Sequence, residues 1–152
     1  MSIMNPYNYK KPIGTQPIHG LKNDVTDQSN GSSQKIKTDS YMEQKIMNAR
    51  PEELTLMLFD GVVKFIKQTQ IFNEQKTYDK SNNANLRAQA IIQELRSTLN
   101  MEIEISRNLE SLYIYMMEQL VDANITKSNE TLQEVLELAT DLRDTWKEAM
   151  GL

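Results

Sequence analysis

The chain has 152 residues, 39% of them apolar and 25% charged, with a formal net charge of −4 and a pI near 5.1. That length suits one domain with one hydrophobic core. The acidic balance, without any run of Lys or Arg, disfavours nucleic-acid binding, and the lack of cysteine removes disulfides, thiolate metal sites and thiol catalysis. No apolar run approaches the ~20 residues needed to span a bilayer. Met1 to Lys11 has no apolar stretch of the secretory kind. The expectation is a cytoplasmic protein without membrane insertion.

Residues 1–38 read as a flexible polar arm. They hold Pro6, Pro12 and Pro17, Gly14, Gly20 and Gly31, and the polar stretch from Asp27 to Gln34. Such a composition buries too little surface to offset its ordering entropy. Residues 1–40 carry five Lys against three Asp, a net of +2, which leaves −6 of the total −4 on the remainder.

Residues 39–150 read as a helical bundle. Asp39 or Ser40 is suited to cap a short helix ending near Ala49. Pro51 sits where a first helical turn tolerates proline, with Glu52 and Glu53 at the positive end of the dipole. That helix is expected to reach about Gln75. The next runs from about Ser81 to Leu99, another from about Glu102 to Ile125. The last is capped by Thr126 or Ser128 and runs to about Met150. Short connections make sequential helices antiparallel neighbours. The predicted fold is all-α: an antiparallel up-down four-helix bundle with an additional short N-terminal helix and a disordered N-terminal arm.

Apolar residues three and four apart define the expected core. In chain order these are Leu54, Leu58, Gly61, Val62, Phe65 and Phe72, then Ala84, Ala88, Ile91, Ile92, Leu95 and Leu99. Ile105, Leu109, Leu112, Met116 and Leu120 follow, then Leu132, Val135, Leu136, Ala139, Leu142 and Trp146. Gly61 in mid-helix costs roughly 1 kcal/mol against Ala. Its expected use is a close helix crossing.

Two helices carry a second apolar stripe, Leu56, Phe59, Val63 and Ile66 on one, Ile114, Met117, Val121 and Ile125 on the other. Both are expected roughly opposite the core face. A helix apolar on both sides must cover both, and each such side chain gains roughly 1.5–3 kcal/mol on burial. One reading is a groove for a partner's amphipathic helix. The other is coverage by the chain itself, through Tyr41, Met42, Ile46 and Met47 of the short helix, or by self-association. With the helices in up-down order the two stripes lie on diagonal helices, so a partner would wrap around the bundle.

Enzymatic chemistry finds no constellation. His19 is the only histidine and lies in the arm, so Glu-x-x-His di-iron sites, histidine phosphotransfer and Ser-His catalysis all lack a partner. No metal or cofactor is expected. The carboxylates of the last two helices fit solvated faces. Tyr113 reads as a packer at the bundle edge and Trp146 as a structural anchor.

Four stretches resemble the flagellin export chaperones of the FliS type. They are Ala49 to Gly61 (ARPEELTLMLFDG), Ile91 to Leu95 with Leu99-Asn100, Asn108 to Met116 with Leu120 to Asn124, and Leu142 to Trp146 (LRDTW). The family usually has Tyr at Phe59 and a small or hydroxyl residue at Arg50. The resemblance implies a helical bundle whose client is the C-terminal segment of flagellin, with the flagellar export gate as a further contact. The chaperone would hold that segment in the cytosol, block premature polymerisation and deliver flagellin for export. The client would bury Leu56, Phe59 and Val63 in one place, Ile114, Met117 and Val121 in another. In the family the N-terminal tyrosines are associated with capping the client groove. Here Asn5-Pro6-Tyr7 matches that arm but lies far from Tyr41 in sequence, and Tyr41, nearer the bundle, is the better placed cap. The reading from a different class is a self-associating helical structural or adaptor subunit using the same stripes. Without client, the chain is expected to be a monomer or weak homodimer.

Overall fold

The breaks between helices come from local chemistry. Pro51 opens one helix after Arg50, whose guanidinium pairs with Glu53 at 3.1 Å. That helix ends where Lys76 turns left-handed (φ 57), with Thr77 N–H donating to Phe72 C=O at 3.0 Å and Lys76 N–H to Asn73 C=O at 3.1 Å. The final helix starts on Ser128, whose hydroxyl accepts from Thr131 N–H at 3.2 Å. It ends in the same motif with Gly151 (φ 66) at the left-handed position and Leu152 N–H bonded to Lys147 C=O.

The computed structural model describes residues 5–7 and 32–152, with side chains from residue 40 onward in the second stretch. These residues form α1 (Ser32–Asn48), α2 (Pro51–Glu74), α3 (Tyr78–Ser97), α4 (Ile105–Thr126) and α5 (Asn129–Ala149). The helix before Pro51 therefore starts earlier than Asp39 or Ser40, since no Gly or Pro interrupts the chain between Gly31 and Pro51. Of the expected arm, residues 5–7 and 32–38 are described, and the rest lies outside the described residues.

α2 packs against α3 and α5, and α4 packs against the same two helices, so α2 and α4 are diagonal. At the α2–α3 crossing, a Cβ on Gly61 would come within 2.9 Å of Ile91 Cδ1, which is the close approach expected of this glycine. Ile66, Ile92, Leu120, Leu132 and Tyr113 are the fully enclosed centre.

The bundle ends are closed differently. Near the α2–α3 and α4–α5 turns, Asn73 donates to Asn129 Oδ1 at 2.9 Å and accepts from the Ser81 hydroxyl, while Asn129 donates to Gln70 C=O at 3.0 Å. This amide cluster ties three helices, and no buried side-chain polar atom among the described residues lacks a partner. At the opposite end Trp146 Nε1–H donates to Glu52 C=O at 2.9 Å, joining α5 to the first turn of α2.

Candidate protein-binding surface

The two second stripes fare differently. On α2, Phe59, Val63 and Ile66 are buried in the bundle interior and Leu56 is half-buried against it. They do not form an outer face. The physical reason lies in Thr55, Thr69 and Asn73, which at about 100° per residue fall between the two apolar stripes of this helix. All three are buried. The two threonines return their hydroxyls to the carbonyls of Pro51 (3.3 Å) and Phe65 (2.7 Å), and Asn73 is held by Ser81 and Asn129. The two stripes are thus flanks of one broad buried arc whose middle is polar by residue type and satisfied locally. Leu54, Leu58 and Phe72, expected as core, are the residues left half-exposed at its edge.

On α4 the second stripe does reach solvent. Val121 is 44% and Ile125 78% exposed, with Ile114 and Met117 half-buried. The stripe flanks a polar seam between α3 and α4. Along it Asn124 donates to Asn82 Oδ1 at 2.7 Å, Asn85 donates to Leu120 C=O at 3.0 Å, and Arg96 stands 3.8 Å from Glu110. On the α3 side, Leu86 and Tyr78 are also exposed. The result is an apolar strip over an amide-bonded floor, bordered by the exposed carboxylates of Glu118 and Asp122.

The expected caps separate. Tyr41 is exposed and Ile46 half-buried on α1, whose Met47 is 84% exposed. Tyr7 instead is 6% exposed. It pairs with Leu99 in an isolated antiparallel bridge. Its hydroxyl lies 2.6 Å from that of Tyr113, and its ring meets Trp146 edge-on at 5.5 Å. This is the base of the bundle, near the start of α4, whereas Val121 and Ile125 are near its end. Tyr113, read as an edge packer, is wholly buried. Burial pushes its phenol up to about 12 against the opposing effect of the Tyr7 hydrogen bond. Its spacing from Met116 and Leu120 was a core spacing, but the phenol disguised it.

Among the described residues no cluster of His, Asp or Glu is arranged to hold a metal, and no helix is long and apolar enough to cross a membrane.

Residues 33–152 match the model of the family described as flagellar protein FliS. The chain is 41% identical over 111 residues to the flagellar secretion chaperone FliS of Bacillus subtilis (strain 168), covering 73% of this chain and 84% of that one. It is 33% identical to the FliS chaperone of Salmonella typhimurium over 70% of this chain and 82% of that one, and 31% identical to that of Escherichia coli K12 over 72% and 82%. A crystal structure of a bacterial flagellar chaperone superposes with a TM-score of 0.63 at 17% identity, covering 78% of this chain and 98% of that one; this likeness concerns the fold alone. With a family match across α1 to α5 and relatives above 30% identity over most of its length, this chain belongs to the FliS family of flagellar secretion chaperones, which are not enzymes.

Proposed function

We propose that the chain is a cytoplasmic export chaperone that holds the C-terminal helical segment of flagellin against the α3–α4 face, prevents its premature polymerisation and delivers it to the flagellar export apparatus. The observation that carries this reading is the exposure of Val121 and Ile125 beside the α3–α4 seam, in a chain whose relatives are named secretion chaperones. An amphipathic client helix laid on this strip would cover Leu86, Val121 and Ile125 with its apolar face. Ile114 and Met117 extend the contact toward the base, whereas Leu56, on the diagonal helix α2 and beside Gly151 and Leu152, lies apart from this face. Ordering a client segment on binding lowers its affinity per unit area, which suits a cargo that must be released.

The test is titration calorimetry of the full chain with a peptide covering the C-terminal segment of flagellin. Binding with a negative heat-capacity change is expected, weakened at least tenfold, about 1.4 kcal/mol, by Val121→Asp or Ile125→Asp. Equal affinity in wild type and both variants would move the client elsewhere. Absence of binding would remove the flagellin reading.

A second reading, self-association through α1, is favoured by the exposure of Tyr41 and Met47. It expects a sedimentation coefficient that rises with concentration and stops rising in Met47→Asp. A concentration-independent monomer would dismiss it.

A further inference from the structure

The seam between α2 and α3 carries a repeated unit on its outer side. Phe65 and Phe72 lie seven positions apart on α2, and Lys80 and Arg87 lie seven apart on α3. Each pair therefore shares a helix face, its members two turns or roughly 10 Å apart. Each ring meets a cation across the seam. Arg87 Cζ stands 5.5 Å from the Phe65 centroid and Lys80 Nζ 5.9 Å from that of Phe72. Lys64 Nζ joins Phe65 at 5.4 Å from the same helix. These are cation–π distances. All three cations are exposed, Phe72 is half-buried, and Ile71, seven positions after Lys64, is exposed. Among the described residues, Arg50, Arg96 and Arg143 make ion pairs, and none of the three ring cations does.

The charge around this seam runs against that of the chain. Gly61 to Gln93 carries a net of +3, whereas Glu102 to Leu152 carries −7. Phenyl rings, not carboxylates, hold the three cations. Their charge stays unneutralised, and their side chains are positioned before a partner arrives, which lowers the ordering cost of binding. The strip is also bounded. The next position in the α3 series is Glu94, and Asp60 lies one turn before Lys64, both exposed. A continuous polyanion would meet these carboxylates and the acidic α4–α5 half. We propose that the outer α2–α3 face docks an acidic helix of a partner protein, with Asp or Glu at two positions seven apart and an apolar residue between them. One carboxylate meets Lys64 and Arg87, the other meets Lys80, and the apolar side chain rests on Phe72 and Ile71. This face lies across α3 from Val121 and Ile125 and acts independently of client binding there.

The experiment uses the isotope-labelled full chain and a synthetic Ala- and Gln-based helical peptide with Glu at two positions seven apart and Leu midway. Amide chemical shifts report binding. Saturable shifts around Lys64, Phe72 and Arg87 are expected, with affinity falling roughly two- to fivefold for each of Lys64→Gln, Lys80→Gln and Arg87→Gln. Affinity should also fall with added salt. Moving one Glu of the peptide by two positions turns it to the other side of its helix and should cost as much as removing a cation. Val121→Asp should leave the affinity unchanged. Circular dichroism melts of the three variants should match wild type, since all three side chains are exposed. No saturable binding, equal affinity in the triple Gln variant, or indifference to the position of the Glu would each overturn the proposal. So would tighter binding of an oligonucleotide or of phosphatidylglycerol vesicles through the same three cations, or self-association that the triple variant abolishes.

Discussion

Tyr113 takes a phenol into the interior of α4, and the consequence is a pH dependence. In the unfolded chain such a phenol titrates near 10; in the fold it titrates at about 12 because burial disfavours the phenolate. Between those values the unfolded chain sheds the proton and the folded one keeps it. The stabilisation is therefore complete below about pH 10 and lost as pH rises through about 12, on the order of 2–3 kcal/mol in all. Urea unfolding in steps from pH 9 to pH 12 should show this decline, and Tyr113→Phe should remove that share of it. A decline of equal size in Tyr113→Phe would assign it to other groups. The same phenol explains a misreading: a residue with a polar tip looked suited to an edge, and the Tyr7 hydroxyl that satisfies it comes from the other end of the chain.

At the scale of one helix, α2 separates packing from pattern. Phe59 is buried against Trp146, with ring centroids 6.2 Å apart, while Leu56 sits at the edge. Phe59→Ala is expected to cost about 3–5 kcal/mol, and Leu56→Ala clearly less, measured as denaturation midpoints at unchanged slope. Equal costs would contradict the placement of the arc. Gly61→Val sets a branched side chain against Ile91 at the α2–α3 crossing. Overpacking there should destabilise by about 1–3 kcal/mol despite the gain in helix propensity, whereas Gly61→Ala should be nearly neutral as Ile91 Cδ1 yields. The helix ends were legible because Pro51, Ser128 and Gly151 act locally. The orientation of α2 was not, since Thr55 and Thr69 satisfy themselves within their own helix and so occupy buried positions that residue type alone assigns to solvent.

For the whole molecule, stability and client binding should be separable. Ile125 is largely exposed, so Ile125→Asp should change stability by no more than about 0.5 kcal/mol while weakening the flagellin peptide. Phe59→Asp, by contrast, would report on the core rather than on a surface. The sequence by itself determined the helical class, the order and approximate limits of α2 to α5, the inward faces of α3 and α5, the close crossing at Gly61 and the family. These follow from periodicity, from residues that start or stop a helix, and from motifs contiguous along the chain. Only the tertiary structure decided which stripe of α2 turns inward, that of the two expected outer stripes the one on α4 is the one exposed, and that of the two expected cap tyrosines Tyr7 is buried and Tyr41 exposed. Each of those depends on partners far apart in sequence: Asn129 for Asn73, Asn124 for Asn82, Tyr113 for Tyr7. A helical period locates a face relative to its own axis, but burial depends on which neighbours meet that face and which polar groups they satisfy.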